Sequence, residues 1–196
     1  FYYSNLIWES VGFSQDQAFL TSMITNAVNV ATTLVPIPLI DRVGRTRLLL
    51  VGSSGMVVML ATLTIIFGTA PQVSNGEGGM EPSLVGTTST VAVLAFSACV
   101  VFFGVSWGPV VWVLLGEMFP NRIRAAALAL AASAQWIANF IVSSAFPPIA
   151  TRSLMIAYGI FTVFALASIF FVRAKVPETM GKSLEQISAE SMKVPA

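Results

Sequence analysis

Five apolar stretches govern what this chain can fold into: residues 17–40, 48–70, 90–115, 125–149 and 153–172 are each around the roughly 20 residues a helix needs to cross a bilayer. Hydrocarbon holds no water to satisfy peptide groups, so runs of this length read as helices that close their own hydrogen bonds. Composition agrees: 56% of residues are apolar, 10% are charged and the mean hydropathy is +0.82, against roughly 25% charged residues in soluble domains. The expected fold class is all-α, a polytopic membrane protein. Ahead of these stretches, residues 1–9 open without methionine on FYYSNLIWE. That piece is too short to span and reads as the truncated end of a further helix, not as a signal peptide.

Charge placement orients the helices, because basic residues are retained on the cytoplasmic side. Arg42, Arg45 and Arg47 share one loop, Arg122 and Arg124 lie two loops later, and Arg173, Lys175, Lys182 and Lys193 follow the last stretch. The opposite side keeps only Arg152, with Asp16, Glu77 and Glu81. One topology results, with 173–196 as a cytoplasmic tail and the glycine-rich 71–89 as an extracellular connector. Leu184 and Ile187 among the charges of the tail suit a short amphipathic helix on the inner membrane face. A net charge of +1, spread over separate loops, gives no basis for nucleic-acid binding. The chain has no histidine, which removes the usual general base and commonest metal ligand. Cys99 is the single cysteine, so no internal disulfide forms and packing is its expected role. Nucleophile elbows, paired metal-ligand motifs and phosphate-binding glycine loops are missing. Neither an enzyme nor a cofactor is expected.

Polar side chains inside a span are costly unless they face protein or water, so their distribution is informative. Ser22, Asn26, Asn29 and Thr33 are spaced by four, three and four residues, a single stripe down one helical face. That stripe either bonds to a neighbouring helix or lines a pathway, and its two amides favour the pathway. In 90–115, Gly104 and Gly108 make a small-residue step before Pro109, which predicts a kink or hinge near Gly108. Trp107 and Trp112 flank it. An indole can stack on the apolar face of a sugar while donating one hydrogen bond, or simply pack; Trp112 is the stronger candidate for the first role. Gln135, Trp136 and Asn139 form a patch with both amides on one helical face, suited to a neutral polyhydroxyl ligand or to bonding between helices. Residues 48–70 and 153–172 carry no Asn, Gln or Trp. Their hydroxyls can bond their own backbone, and these spans are expected to face lipid.

A charged pattern recurs on the cytoplasmic side. Pro36 and Pro38 precede DRVGR, with Asp41 and Arg45 around Gly44; Glu117 is followed by Arg122 and Arg124; Glu178 lies in PETMG after the last span. These charges read either as a solvated cluster that only enforces topology or as a latch of ion pairs that parts when the protein changes state.

DRVGR, GPVVWVLLGEMFPNRIR at 108–124, QWIAN at 135–139 and VPETMGKSLEQI at 176–187 together resemble the C-terminal half of a sugar porter of the major facilitator superfamily. FYYSN is similar to the segment after the paired-glutamine motif of the family's seventh helix. The resemblance covers nearly the whole chain. It is nearer to bacterial proton-coupled xylose or hexose symporters than to animal facilitative carriers. It implies two six-helix bundles, a monosaccharide site between them and alternating access. The five spans become helices eight to twelve, with nine and twelve peripheral, and 1–9 becomes the end of helix seven. Asn29, Trp112, Gln135, Trp136 and Asn139 are then implied as sugar-site residues, with Tyr2 and Tyr3 near the extracellular gate. Gly104, Gly108 and Pro109 make the hinge, and Asp41, Arg42, Arg45, Glu117, Arg124 and Glu178 a cytoplasmic gate network. The implied partners are a monosaccharide, a proton as coupling ion, the lipid bilayer of the cell membrane and an N-terminal six-helix half. Without that half the chain is not expected to transport. Met180 stands where the family usually has lysine, so one charge of the network is absent. The rival readings are a carrier for inositol or another polyol or organic acid, a transporter-like nutrient receptor, and a half-size protein that dimerises.

Overall fold

The computed structural model describes residues 4–10, 12–74 and 80–181. Among these residues eight helices and one small hairpin follow in order: α1 Ser4–Ser10, α2 Gln15–Leu34, α3 Pro36–Val43, α4 Arg45–Thr69, β1 Gln72–Ser74, β2 Met80–Pro82, α5 Thr87–Val105, α6 Val110–Met118, α7 Arg124–Ala150 and α8 Leu154–Lys175. Tyr2, Tyr3 and the tail beyond 181, with Leu184 and Ile187, lie outside the described residues.

Local chemistry accounts for the boundaries. Ser14 and Gln17 form a reciprocal capping box at the start of α2, with Gln17 N donating to Ser14 Oγ at 3.3 Å and Ser14 N to Gln17 Oε1 at 3.2 Å. Pro36 has no N–H to continue the α2 ladder, yet suits a first helical position, and α3 leaves the α2 axis by 43°. Gly44 turns the chain from α3 into α4 at φ +95°, a conformation that only glycine adopts without strain. The second division falls at 106–109, between α5 and α6. Ser153 caps α8 by accepting from Ile156 N at 3.3 Å.

α4, α5 with α6 taken together, α7 and α8 are each long and apolar enough to cross a membrane, and the bent α2/α3 pair makes a fifth span when counted as one. The 71–89 connector contains the antiparallel hairpin, in the register Gln72↔Pro82 and Val73↔Glu81. Apolar packing divides into two clusters. The one at the hairpin end includes Trp8, Leu63, Phe67, Leu84, Ala92 and Tyr158. The other, toward the opposite end, is built from Ile40, Leu48, Leu49, Val110, Leu114 and Val172. α4 and α8 run unbroken through both clusters, whereas α5 joins the first and α6 the second.

The two spans expected to face lipid have a further role. α4 and α8 pack extensively on each other, and their hydroxyls meet across the interface: Thr64 Oγ1 lies 3.2 Å from Thr162 Oγ1, and Ser53 Oγ 2.9 Å from Ser168 Oγ. Both threonines also bond their own backbone four residues earlier. In contrast, no residue of α7 is buried.

Candidate functional site

A charged cluster at the end away from the hairpin is the most organised polar feature among the described residues. Its centre is Arg45, placed at the first position of α4 by the Gly44 turn, with a side chain only 8% exposed. Its Nε donates to Glu117 Oε2 at 3.0 Å and its Nη2 to Glu117 Oε1 at 2.6 Å, a bidentate pair between α4 and α6. Nη2 also reaches Asp41 Oδ1 at 2.8 Å, and Nη1 donates to Ile40 O at 3.1 Å, so α3 is tied in as well.

Glu178, on the segment after α8, does not pair with the Arg45 side chain. Its carboxylate caps the start of α4: Arg45 N donates to Oε1 at 3.0 Å and Thr46 N to Oε2 at 3.1 Å. Thr179 N and Met180 N each add a bond to Oε1 at 3.1 Å. Burial alone pushes this carboxyl up, but the four N–H donors outweigh it and hold Glu178 below the usual carboxylate range. The positive end of the α4 dipole acts in the same sense. Thr179 closes the cluster by donating from Oγ1 to Glu117 Oε2 at 2.6 Å. Sequence reasoning missed Thr179, because a threonine after a span has no signature until its partner is known; its place beside Glu178 in PETMG was the only pointer.

Other members of the expected network sit apart. Arg42 is exposed and forms no ion pair among the described residues, and Arg124 donates from Nε to Phe119 O at 3.3 Å without meeting a carboxylate. Thus Asp41, Arg45, Glu117 and Glu178 come together, and Arg42 and Arg124 do not join them.

The expected sugar-site residues lie on three elements. Asn29 of α2 is half-buried, with Oδ1 enclosed and without a hydrogen-bond partner among the described residues. Trp112 of α6 is 40% exposed and Trp136 of α7 is 65% exposed. Gln135 is exposed, while Asn139 is half-buried with Oδ1 3.4 Å from Ser143 Oγ. Among the described residues no hydrogen bond joins Asn29, Trp112 and the α7 amides to one another. Gly108 and Pro109 lie in the break between α5 and α6. Gly104 is inside α5, where its bare Cα lets Thr32 of α2 approach so closely that a Cβ would overlap its hydroxyl.

The profile of the family described as "Sugar (and other) transporter" matches residues 1–190. The chain belongs to that family. Among curated members of the sugar transporter family, it is 50% identical over 188 residues to the glucose transport protein of Synechocystis, covering 95% of this chain and 39% of that one. It is 36% identical over 195 residues to the D-xylose-proton symporter of Escherichia coli, covering 96% of this chain and 36% of that one. The chain therefore spans under two fifths of the length of these relatives. Among solved structures it resembles the major facilitator proton:xylose symporter XylE bound to 6-bromo-6-deoxy-D-glucose, with TM-score 0.78, 34% identity and coverage of 96% of this chain and 38% of that one. Against the inward-open xylose transporter XylE from E. coli the TM-score is 0.73, at 33% identity and covering 95% and 39%. The fold of this sugar transporter family member is the all-α, multi-pass membrane fold of a major facilitator half-bundle.

Proposed function

We propose that this chain is one half of a monosaccharide carrier that works by alternating access with proton symport, its charged end and C-terminus facing the cytoplasm. In this reading α1 is the end of helix seven, α2/α3 is helix eight, α4 helix nine, α5/α6 helix ten, α7 helix eleven and α8 helix twelve. The observation that carries it is the make-up of α6. One nine-residue helix, set off by the 106–109 break, holds Trp112 on an open face and Glu117 locked to Arg45. A sugar stacked on Trp112 and bonded by Gln135 and Asn139 therefore acts on the same rigid rod as the latch.

The second half supplies the facing wall and the proton-coupling acid. Sugar binding between halves draws α6 inward by bending near Gly108, and the Arg45 to Glu117 pair parts as the cytoplasmic side opens. Identity to a glucose transport protein and a D-xylose-proton symporter supports a neutral monosaccharide as substrate and a proton as coupling ion. Uptake of labelled glucose and xylose by the carrier containing both halves, measured at varied proton gradient, tests the reading. Accumulation that collapses with the gradient is expected. Sugar-independent behaviour, or uptake of inositol or an organic acid instead, overturns it.

A further inference from the structure

The α5/α6 break is held by side chains to which the proposed cycle gives no part. Main-chain bonding across it is reduced and irregular, although Val110 N still donates to Ser106 O at 3.0 Å. Phe103 O takes the N–H of both Ser106 and Gly108, at 3.1 and 3.0 Å, and Pro109 has no N–H to offer Val105. A ladder interrupted in this way leaves the direction of α6 to tertiary contacts.

Those contacts come from the two unbroken helices. Trp107 Nε1 donates to Ser53 Oγ of α4 at 2.8 Å, and Ser53 Oγ lies 2.9 Å from Ser168 Oγ of α8, which also lies 2.7 Å from Ala165 O. Ser53 is 0% exposed, so the indole bond is shielded from water. The Trp107 ring packs on the apolar cluster to which Leu48, Leu49, Val110 and Val172 belong. Beside it, the bare backbones of Gly52 and Gly55 receive Ser106 and Phe102, each so close that a Cβ would overlap them. The break thus rests on α4 at a seam made of small residues, with one side-chain hydrogen bond fixing its position.

We propose that Trp107 is a positioning residue: through Ser53 and Ser168 it fixes the point on the α4/α8 pair about which α6 turns, and so sets how Trp112 and Glu117 move together. The bond lies at the pivot and not at either moving end, so it persists while α6 swings. Its loss removes no proposed sugar contact but lets α6 sample unproductive directions. The consequence for turnover rests on the transport reading; the consequence for α6 orientation does not.

The test uses the carrier with both halves in proteoliposomes, as wild type, Trp107→Phe, Ser53→Ala and the double variant. Turnover is expected to fall about five-fold in each single variant, the factor carried by roughly one interhelical hydrogen bond, with KM for sugar changed by less than about two-fold. The double variant should be no slower than the singles, because both remove the same bond. Spin labels at the exposed positions Leu94 and Pro120, introduced as Leu94→Cys and Pro120→Cys in a Cys99→Ala background, should give a broader distance distribution in all three variants. Additive losses, KM rising in step with the loss of turnover, or a distribution as narrow as wild type would each overturn the proposal. A wild-type carrier that moves no sugar would sink the transport reading alone, and the label distances would still decide the role of Trp107.

Discussion

Glu117→Gln separates the charge of the latch from its shape. Arg45, 8% exposed, directs its guanidinium to Glu117, Asp41 and Ile40 O. Asp41 is 79% exposed, and a pair screened to that degree contributes at most about 0.5 kcal/mol. Glu117, at 29% exposure, therefore supplies most of the compensation for the buried cation. Removing one partner of a buried pair costs roughly 3–5 kcal/mol, but glutamine keeps one acceptor oxygen, which returns about 1 kcal/mol, and partial solvent access lowers the remainder. A net loss of about 2 kcal/mol is reasonable from these terms. If the latch is made in only one of two states, that loss is about a 30-fold shift in their ratio, enough to bring a mostly outward-open carrier to a near-even mixture. Labelling of single cysteines from the periplasmic side, in a carrier with both halves, reads the shift as reduced accessibility. Unchanged labelling together with a lower unfolding midpoint would show that the pair stabilises both states equally, and the latch argument would fail.

Three further outcomes follow from the same geometry. Gly44→Ala meets two obstacles, since φ is +95° and the new Cβ would lie 2.6 Å from Glu178 Oε2; a loss of about 2 kcal/mol is expected from backbone strain and displacement of the cap, seen as a lower thermal midpoint in detergent, and an unchanged midpoint would exclude a structural role for this turn. Glu178 has a lowered folded pKa, so its contribution is fully present above its unfolded value of roughly 4.3 and is lost as pH falls through the lower folded value; Glu178→Gln should flatten the acid limb of the stability profile, and an identical limb in both proteins would refute the assignment. Gln135→Ala should weaken sugar affinity by about ten-fold, the loss of one or two polar contacts to substrate, with no change in thermal midpoint because Gln135 is exposed; unaltered affinity would remove it from the site.

What could be read from the sequence, and what could not, divides along the energetics of polar groups in a membrane. The all-α membrane fold was legible because long apolar runs admit no other solution in hydrocarbon. The amides and indoles of Asn29, Trp112, Gln135 and Trp136 stand out because such groups in a span demand an explanation. Among the described residues none of α7 is buried, so its amide and indole groups stay open to a partner. Hydroxyls are harder to read. Each threonine or serine of α4 and α8 can be satisfied by its own carbonyl four residues back, so nothing in the one-dimensional pattern shows that Ser53 also meets Ser168 and Trp107. Thr179 stayed hidden for another reason, since a threonine past the end of a span shows nothing until Glu117 is known to lie against it. Glu178 was legible as a charge, but its actual partners are main-chain N–H groups, which every residue possesses and no motif marks. A reading from residue types therefore finds amides and indoles set in a span more readily than hydroxyls already paired within the chain. That asymmetry leaves the proposed sugar-site residues among the legible features and the Trp107, Ser53 and Ser168 contact among the hidden ones.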